Sequence, residues 1–248
     1  MLGRNMIFLA VWGVSLLGVG AGYSQDVQAD EKANGAWERS LTAGLNANSG
    51  NKDAVLGGIG LAGERTTDQD LIRLGVNGAY GETEGETTAE NAKAVGRYEY
   101  SLSERMFAAM TVELGYDSIA DVDYRLILSP ALGYYLIKEE RVRFNVEAGP
   151  SYIVERVGGI EDDYLGYRIA DRFEWDLSET SKFWQATEFI GDFDNSDNFL
   201  VKTEVGLEAA LVSDLSLAIV AQDTYDNEPA PGLKENDLSV MTSLKWSF

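Results

Sequence analysis

The chain has 248 residues, 45% of them hydrophobic, with 26 Gly, 4 Pro, no Cys and no His, and 41 acidic residues against 20 basic ones give a net charge of −21. Without cysteine or histidine there is no disulfide framework, no thiolate nucleophile, no Cys-based zinc site and none of the usual neutral-pH general base. The acidity argues against nucleic acid as a partner, because phosphate neutralisation needs clustered Lys and Arg, and the apolar content is that of a folded chain.

The first segment reads as an export signal over residues 1–24. Arg4 supplies the positive start and an apolar run from Met6 to Gly20 supplies the hydrophobic region. Gly22 and Ser24 provide the small residues of a cleavage site before Gln25. An apolar run of that length is short for a membrane anchor. Residues 25–36 are small, polar and acidic, as a flexible periplasmic leader would be.

From Trp37 onward no apolar segment is long enough for a membrane helix, and period-two alternation takes over. Trp37, Leu41, Ala43, Leu45 and Ala47 share one phase of the first run. In the last run Leu238, Val240, Thr242, Leu244, Trp246 and Phe248 alternate with Ser239, Met241, Ser243, Lys245 and Ser247. Similar segments at 54–65, 69–81, 89–101, 105–117, 123–137, 141–156, 164–177, 182–191, 198–212 and 214–226 bring the expected number of strands to twelve.

Alternation alone does not say which phase faces lipid; four features do. The strands are long enough to cross a bilayer at a tilt. If the first strand runs outward, the inner turns (66–69, 102–104, 138–140, 178–181 and Ser213) are brief, whereas the outer connections (82–88, 118–122, 157–163, 192–197 and 227–237) are mostly longer, 48–53 excepted. Tyr80, Tyr98, Tyr100, Tyr116, Tyr124, Tyr152, Trp175 and Trp246 fall near the ends of the apolar phase, as girdle residues do. Finally, Leu244, Trp246 and Phe248 form a terminal pattern like the assembly signal of bacterial outer-membrane proteins. The fold expected is therefore an all-β, transmembrane, antiparallel up-and-down β-barrel over residues 37–248.

Two sets of charges are candidates for function. The outer loops are acidic, with Glu161, Asp162, Asp163, Asp192, Asp194 and Asp197 prominent. Such a rim attracts cations and is sensitive to ionic strength. A specific calcium site on Asp192, Asp194 and Asp197 departs from the helical calcium-loop template, since the stretch lacks its glycine and ends on Thr203. The inward phase carries both signs: Arg97 and Glu99, Glu113, Arg125, Arg143 and Glu147, and Arg168, Arg172 and Glu174. Mixed charge can line a water-filled pore or close it with ion pairs, and composition leaves both open.

No enzyme emerges. Carboxylate pairs such as Glu99 with Glu113 or Glu147 with Glu174 arise by chance in so acidic a chain, and Gly57, Gly58 and Gly60 lack the strand-to-helix setting and Lys of a phosphate loop. Neither a cofactor nor a passenger domain is expected.

Longer motifs add a resemblance. The start Trp37-Glu-Arg-Ser-Leu, the run Gly44-Leu-Asn-Ala-Asn-Ser-Gly-Asn51, Asp123-Tyr-Arg125 leading into Ser129-Pro-Ala-Leu-Gly-Tyr134, and Arg143…Glu147-Ala-Gly-Pro150-Ser-Tyr152 resemble the YdiY-like family of salt-induced outer-membrane proteins, a domain of unknown function. Ala131 departs from the Gly expected two residues before Gly133. The resemblance implies a barrel in the outer membrane of a didermal bacterium and a link to salt stress, and no known substrate or catalytic residue. The partners expected are outer-membrane lipid, the barrel-assembly machinery through the C-terminal strand, and divalent cations at the rim. A monomer is the default oligomeric state. The function expected is a passive or structural envelope component, a narrow cation-preferring pore; the alternative is a closed barrel whose acidic loops bind divalent cations, lipid head groups or a protein.

Overall fold

The computed structural model describes residues 35–48 and 54–248. The export signal, nearly all of the leader and the connection 49–53 lie outside the described residues. Twelve strands follow one another: β1 (Trp37–Asn48), β2 (Ala54–Thr66), β3 (Asp70–Thr83), β4 (Glu86–Ser101), β5 (Met106–Asp117), β6 (Val122–Lys138), β7 (Val142–Val157), β8 (Ile160–Asp176), β9 (Ser181–Asp192), β10 (Phe199–Val212), β11 (Leu215–Asp226) and β12 (Asn236–Ser247). Each pairs antiparallel with its sequence neighbours, and β12 returns to β1, closing the barrel. Closure leaves no sheet edge, the condition for strands to cross lipid.

The alternation places the residues inside out. Leu45, Ile59, Leu74, Val76, Leu132, Leu165, Ile169, Val240 and Leu244 are exposed on the outer wall, while Arg97, Glu113, Glu147, Arg168, Glu204 and Lys245 are buried within. Leu244, Trp246 and Phe248 all face outward beside the closing seam. The β1–β12 ladder holds five residue pairs, Ser40↔Ser247 to Gly44↔Ser243. It is extended by Arg39 and Phe248, whose backbone N–H groups donate to each other's carbonyls (3.2 and 2.9 Å).

Two expected outer loops are corrected. The connections anticipated at 82–88 and 157–163 are two-residue turns, Glu84–Gly85 and Gly158–Gly159, and the flanking strands continue up to them. All four turn residues have positive φ (54° and 83°, 59° and 74°). This is the type I′ signature that matches the twist of a hairpin. Glu161, Asp162 and Asp163 accordingly belong to β8, not to a loop. Long outer connections occur at 193–198 and 227–235.

The β6–β7 seam is unusual. Its ladder pairs Leu128 with Tyr152 and Leu132 with Ala148, and no pairs form between them. That register sets Pro130 opposite Pro150, neither of which has an N–H to give. Inside the barrel the hydroxyls of Ser129 and Ser151 meet at 2.6 Å and bridge the gap.

Candidate functional site

The lumen is crossed by a continuous chain of ion pairs, because the inward phases of non-neighbouring strands meet across it. On β4, Arg97 donates from Nη1 and Nη2 to Glu147 Oε1 and Oε2 on β7 (3.0 and 2.5 Å). The same guanidinium reaches Glu99 (2.7 Å) and Thr111 (2.9 Å). Glu147 also accepts from Arg168 on β8, whose Nε turns to Glu188 on β9. Lys202 on β10 links Glu188 (3.2 Å) to Glu113 on β5 (3.4 Å), and Lys93 closes on Glu113 at 2.6 Å. At the other end Arg73 ties Glu99 (3.9 Å) to Glu64 (2.8 Å). Eight strands are thus joined through side chains alone.

Separate clusters lie toward the two mouths. Nearer the inner end, Glu174 is met by Arg172 (2.7 Å), Arg143 (3.0 Å) and Lys182 (3.6 Å), and Arg143 also approaches Asp176 (3.7 Å). Nearer the outer end, Arg125 pairs with Glu155 and approaches Asp226 at 3.6 Å. All nine lumen candidates therefore point inward and take part in ion pairs. The carboxylates weighed for acid–base chemistry are each held by cations, with Glu147 and Glu174 in different clusters.

Other lumen residues carried weaker sequence signals. Trp184 is 3% exposed and donates from Nε1 to Glu204 (2.7 Å), which also accepts from Gln222 (2.7 Å). Glu188 and Glu155 are essential links that β9 and β7 hide among mixed phases. An apolar cluster of Ile127, Ile153, Ile190 and Leu200 fills part of the lumen toward the outer side. Beside the ion pairs lies a cavity of about 120 Å³, lined among others by Lys93, Arg97, Glu113, Arg168, Arg172 and Glu204. That is room for a few waters. The guanidinium nitrogens Nη1 and Nη2 of Arg172 and Nη1 of Arg125 have no protein partner.

At the outer mouth the acidic side chains serve loop structure. Asp192 accepts from the backbone N–H of Asp194 (2.8 Å) and from the Asn198 amide (3.3 Å). Asn195 reaches Glu228 (2.9 Å) and Asn227 reaches the carbonyl of Asp197 (2.8 Å), tying the two long loops together. Asp192, Asp194 and Asp197 do not converge: among the described residues no group of three acidic side chains could hold a metal ion. Asp163 accepts from the Tyr152 hydroxyl (2.9 Å), and Glu161 sits opposite Arg156 on β7.

An apolar outer wall around an ion-paired lumen defines a closed transmembrane-type β-barrel. Within that class, the chain belongs to the family described as "Protein of unknown function, DUF481", whose model matches residues 41–248. The YdiY-like resemblance of the motifs is consistent with this family. A comparison with curated proteins finds no match. Among solved structures, the chain is similar to the NanC porin at 8% identity and a TM-score of 0.50, covering 85% of this chain and 97% of that one. It is likewise similar to an outer membrane channel from Pseudomonas putida F1 at 11% identity and a TM-score of 0.50, covering 90% and 99%. At such identities the likeness is one of fold.

Proposed function

We propose that the protein is a non-enzymatic component of a bacterial outer membrane, exported by a cleaved signal peptide, whose barrel is a narrow, cation-preferring passage. The observation that carries this reading is the chain of ion pairs from Glu64 to Lys93. It crosses the waist of the barrel beside a cavity of about 120 Å³. A twelve-stranded wall is wide enough for an aqueous lumen, so its side chains set the bore. The acidic outer mouth supports the cation preference, since carboxylates with few cationic partners raise the local cation concentration. Outer-membrane lipid and the assembly machinery, the latter engaged through Leu244, Trp246 and Phe248, are the partners this reading requires. Divalent cations would be held loosely at the rim.

The test is the reversal potential of the refolded mature protein in planar bilayers under a tenfold KCl gradient. A potential on the cation side supports the reading; an anion-side potential overturns it. The salt link suggested by family resemblance has its own check, transcript abundance after a shift to high NaCl, which should rise.

A second reading is a barrel that never conducts and acts through its mouth. It is favoured by the bonds that join loops 193–198 and 227–235 into one surface. Calcium binding to the folded protein that is lost on deleting residues 228–234, with no conductance before or after, would select it.

A further inference from the structure

Residues 227–235 join β11 to β12, and the ladder closes beneath them where the backbone N–H of Asp226 donates to the carbonyl of Glu235 at 2.7 Å. The far end of this loop is a type II turn. The N–H of Leu233 donates to the carbonyl of Ala230 (3.0 Å), Pro231 takes the second position, and Gly232 at the third has a φ of 92°. Pro229 and Pro231 each fix their own φ, which stiffens the loop into a strap.

Although it sits at the tip of that strap, Ala230 is only 6% exposed. Its cover includes the β7–β8 turn. A Cβ built on Gly158 would lie 3.6 Å from both Ala230 Cβ and Pro231 Cδ, and 3.8 Å from Asp121 Oδ2 in the β5–β6 connection. The N–H of Gly158 also donates to the carbonyl of Asp121 (2.9 Å). On a ring of twelve strands the β5–β6 and β11–β12 connections start six strands apart, on opposite sides of the mouth. Their meeting at Gly158 places the strap over the opening.

The root of the strap is tied into the lumen. Asp226 Oδ1 accepts from the N–H of Glu228 (3.0 Å), while Oδ2 lies 3.6 Å from Arg125 Nη2 on β6, on the far side of the lumen. The tip is held down more lightly. Besides van der Waals contact on Gly158, two exposed hydrogen bonds reach loop 193–198: Asn195 donates to Glu228 (2.9 Å) and Asn227 to the carbonyl of Asp197 (2.8 Å). Segments with few buried contacts are the ones that open at low cost.

We propose that residues 227–235 are a lid that opens and closes the outer mouth, with Gly158 and Asp121 as its seat. The lid presupposes the pore reading above, and it adds a moving gate to a waist whose ion pairs are fixed.

The chain has no native cysteine, and a Cβ separation of 3.6 Å suits a disulfide. Gly158→Cys with Ala230→Cys therefore locks the lid on its seat. The control is Glu84→Cys with Ala230→Cys. The β3–β4 turn lies four strands from the lid in the other direction round the ring, as far as the β7–β8 turn does. Glu84 also shares the left-handed backbone of Gly158 (φ 54° and 59°). Both double variants are refolded into phosphatidylethanolamine–phosphatidylglycerol vesicles, oxidised with copper phenanthroline and fused to planar bilayers. Heat-modifiable migration reports the folded barrel, and a maleimide–polyethylene glycol reagent counts the free thiols of the monomer band. The expected result is loss of both thiols in the Gly158 pair alone, with the summed current of many copies cut at least fivefold and restored by dithiothreitol. Deleting residues 228–234 from the cysteine-free chain should raise that current at least twofold. The deletion decides the matter alone if Gly158→Cys does not fold, since a current equal to wild type then overturns the lid. Equal oxidation of the two pairs, or a disulfide that forms and leaves the current unchanged, also overturns the lid and leaves the pore reading intact. No current from the reduced, wild-type and shortened barrels, all shown to be folded, overturns the pore reading and the lid with it.

Discussion

The waist of the lumen and the outer mouth are both rich in carboxylates, yet the same residue type does opposite work in the two places. At the waist, Glu147 and Glu113 each take two cations and are 6% and 4% exposed. At the mouth, Asp194 and Asp197 stand exposed in a loop, and Asp192 caps a turn. Net charge does not predict function here; enclosure does. A charge enclosed by the barrel is fixed by partners and shapes the bore, whereas one at the rim stays solvated and acts only through its field.

Breaking the waist should have the largest effect. Glu147→Ala removes the acceptor shared by Arg97 and Arg168 and leaves buried guanidinium groups short of charge, which should destabilise the barrel by about 3–5 kcal/mol. Urea unfolding of the refolded protein in lipid vesicles measures it. Next comes Gly206→Ala. A Cβ there would lie 2.0 Å from the Trp184 ring. The indole must move away from Glu204, at about 1–3 kcal/mol by the same assay. Smaller again is the effect of salt: raising ionic strength from 0.1 to 1 M shortens the screening length from about 10 Å to about 3 Å. Cation preference, an effect of the exposed mouth, should fall severalfold in reversal-potential measurements while the unfolding midpoint shifts little. The double change Asp194→Asn with Asp197→Asn should be smallest in stability, within about 0.5 kcal/mol, and still reduce cation preference at low salt.

Much of the fold was legible because a strand's period is two. Phase alone placed Arg97, Glu147 and Arg168 inside and Leu244 and Trp246 outside, and strand ends fell within a few residues. The lengths of two outer connections were misjudged because acidic residues such as Glu82 and Asp162 look like loop composition. Glycines at 85, 158 and 159 were the better signal, since they permit tight turns that let charged strands rise beyond the membrane. Pairing across the lumen was not legible. Arg97 and Glu147 are 50 residues apart and Glu113 and Lys202 are 89 apart. Their meeting depends on strand tilt and stagger, which no single strand encodes.

The waist sets the bore, and single-channel conductance in planar bilayers reaches it most directly. Wild-type protein and Glu147→Ala, both shown to be folded, are compared in the same salt. The ion-paired waist predicts small or unresolved steps for the wild type and steps several times larger once Glu147 is gone. Large wild-type steps that Glu147→Ala leaves unchanged would contradict it, for then the ions would be passing by a route that the Arg97–Glu147–Arg168 chain does not guard.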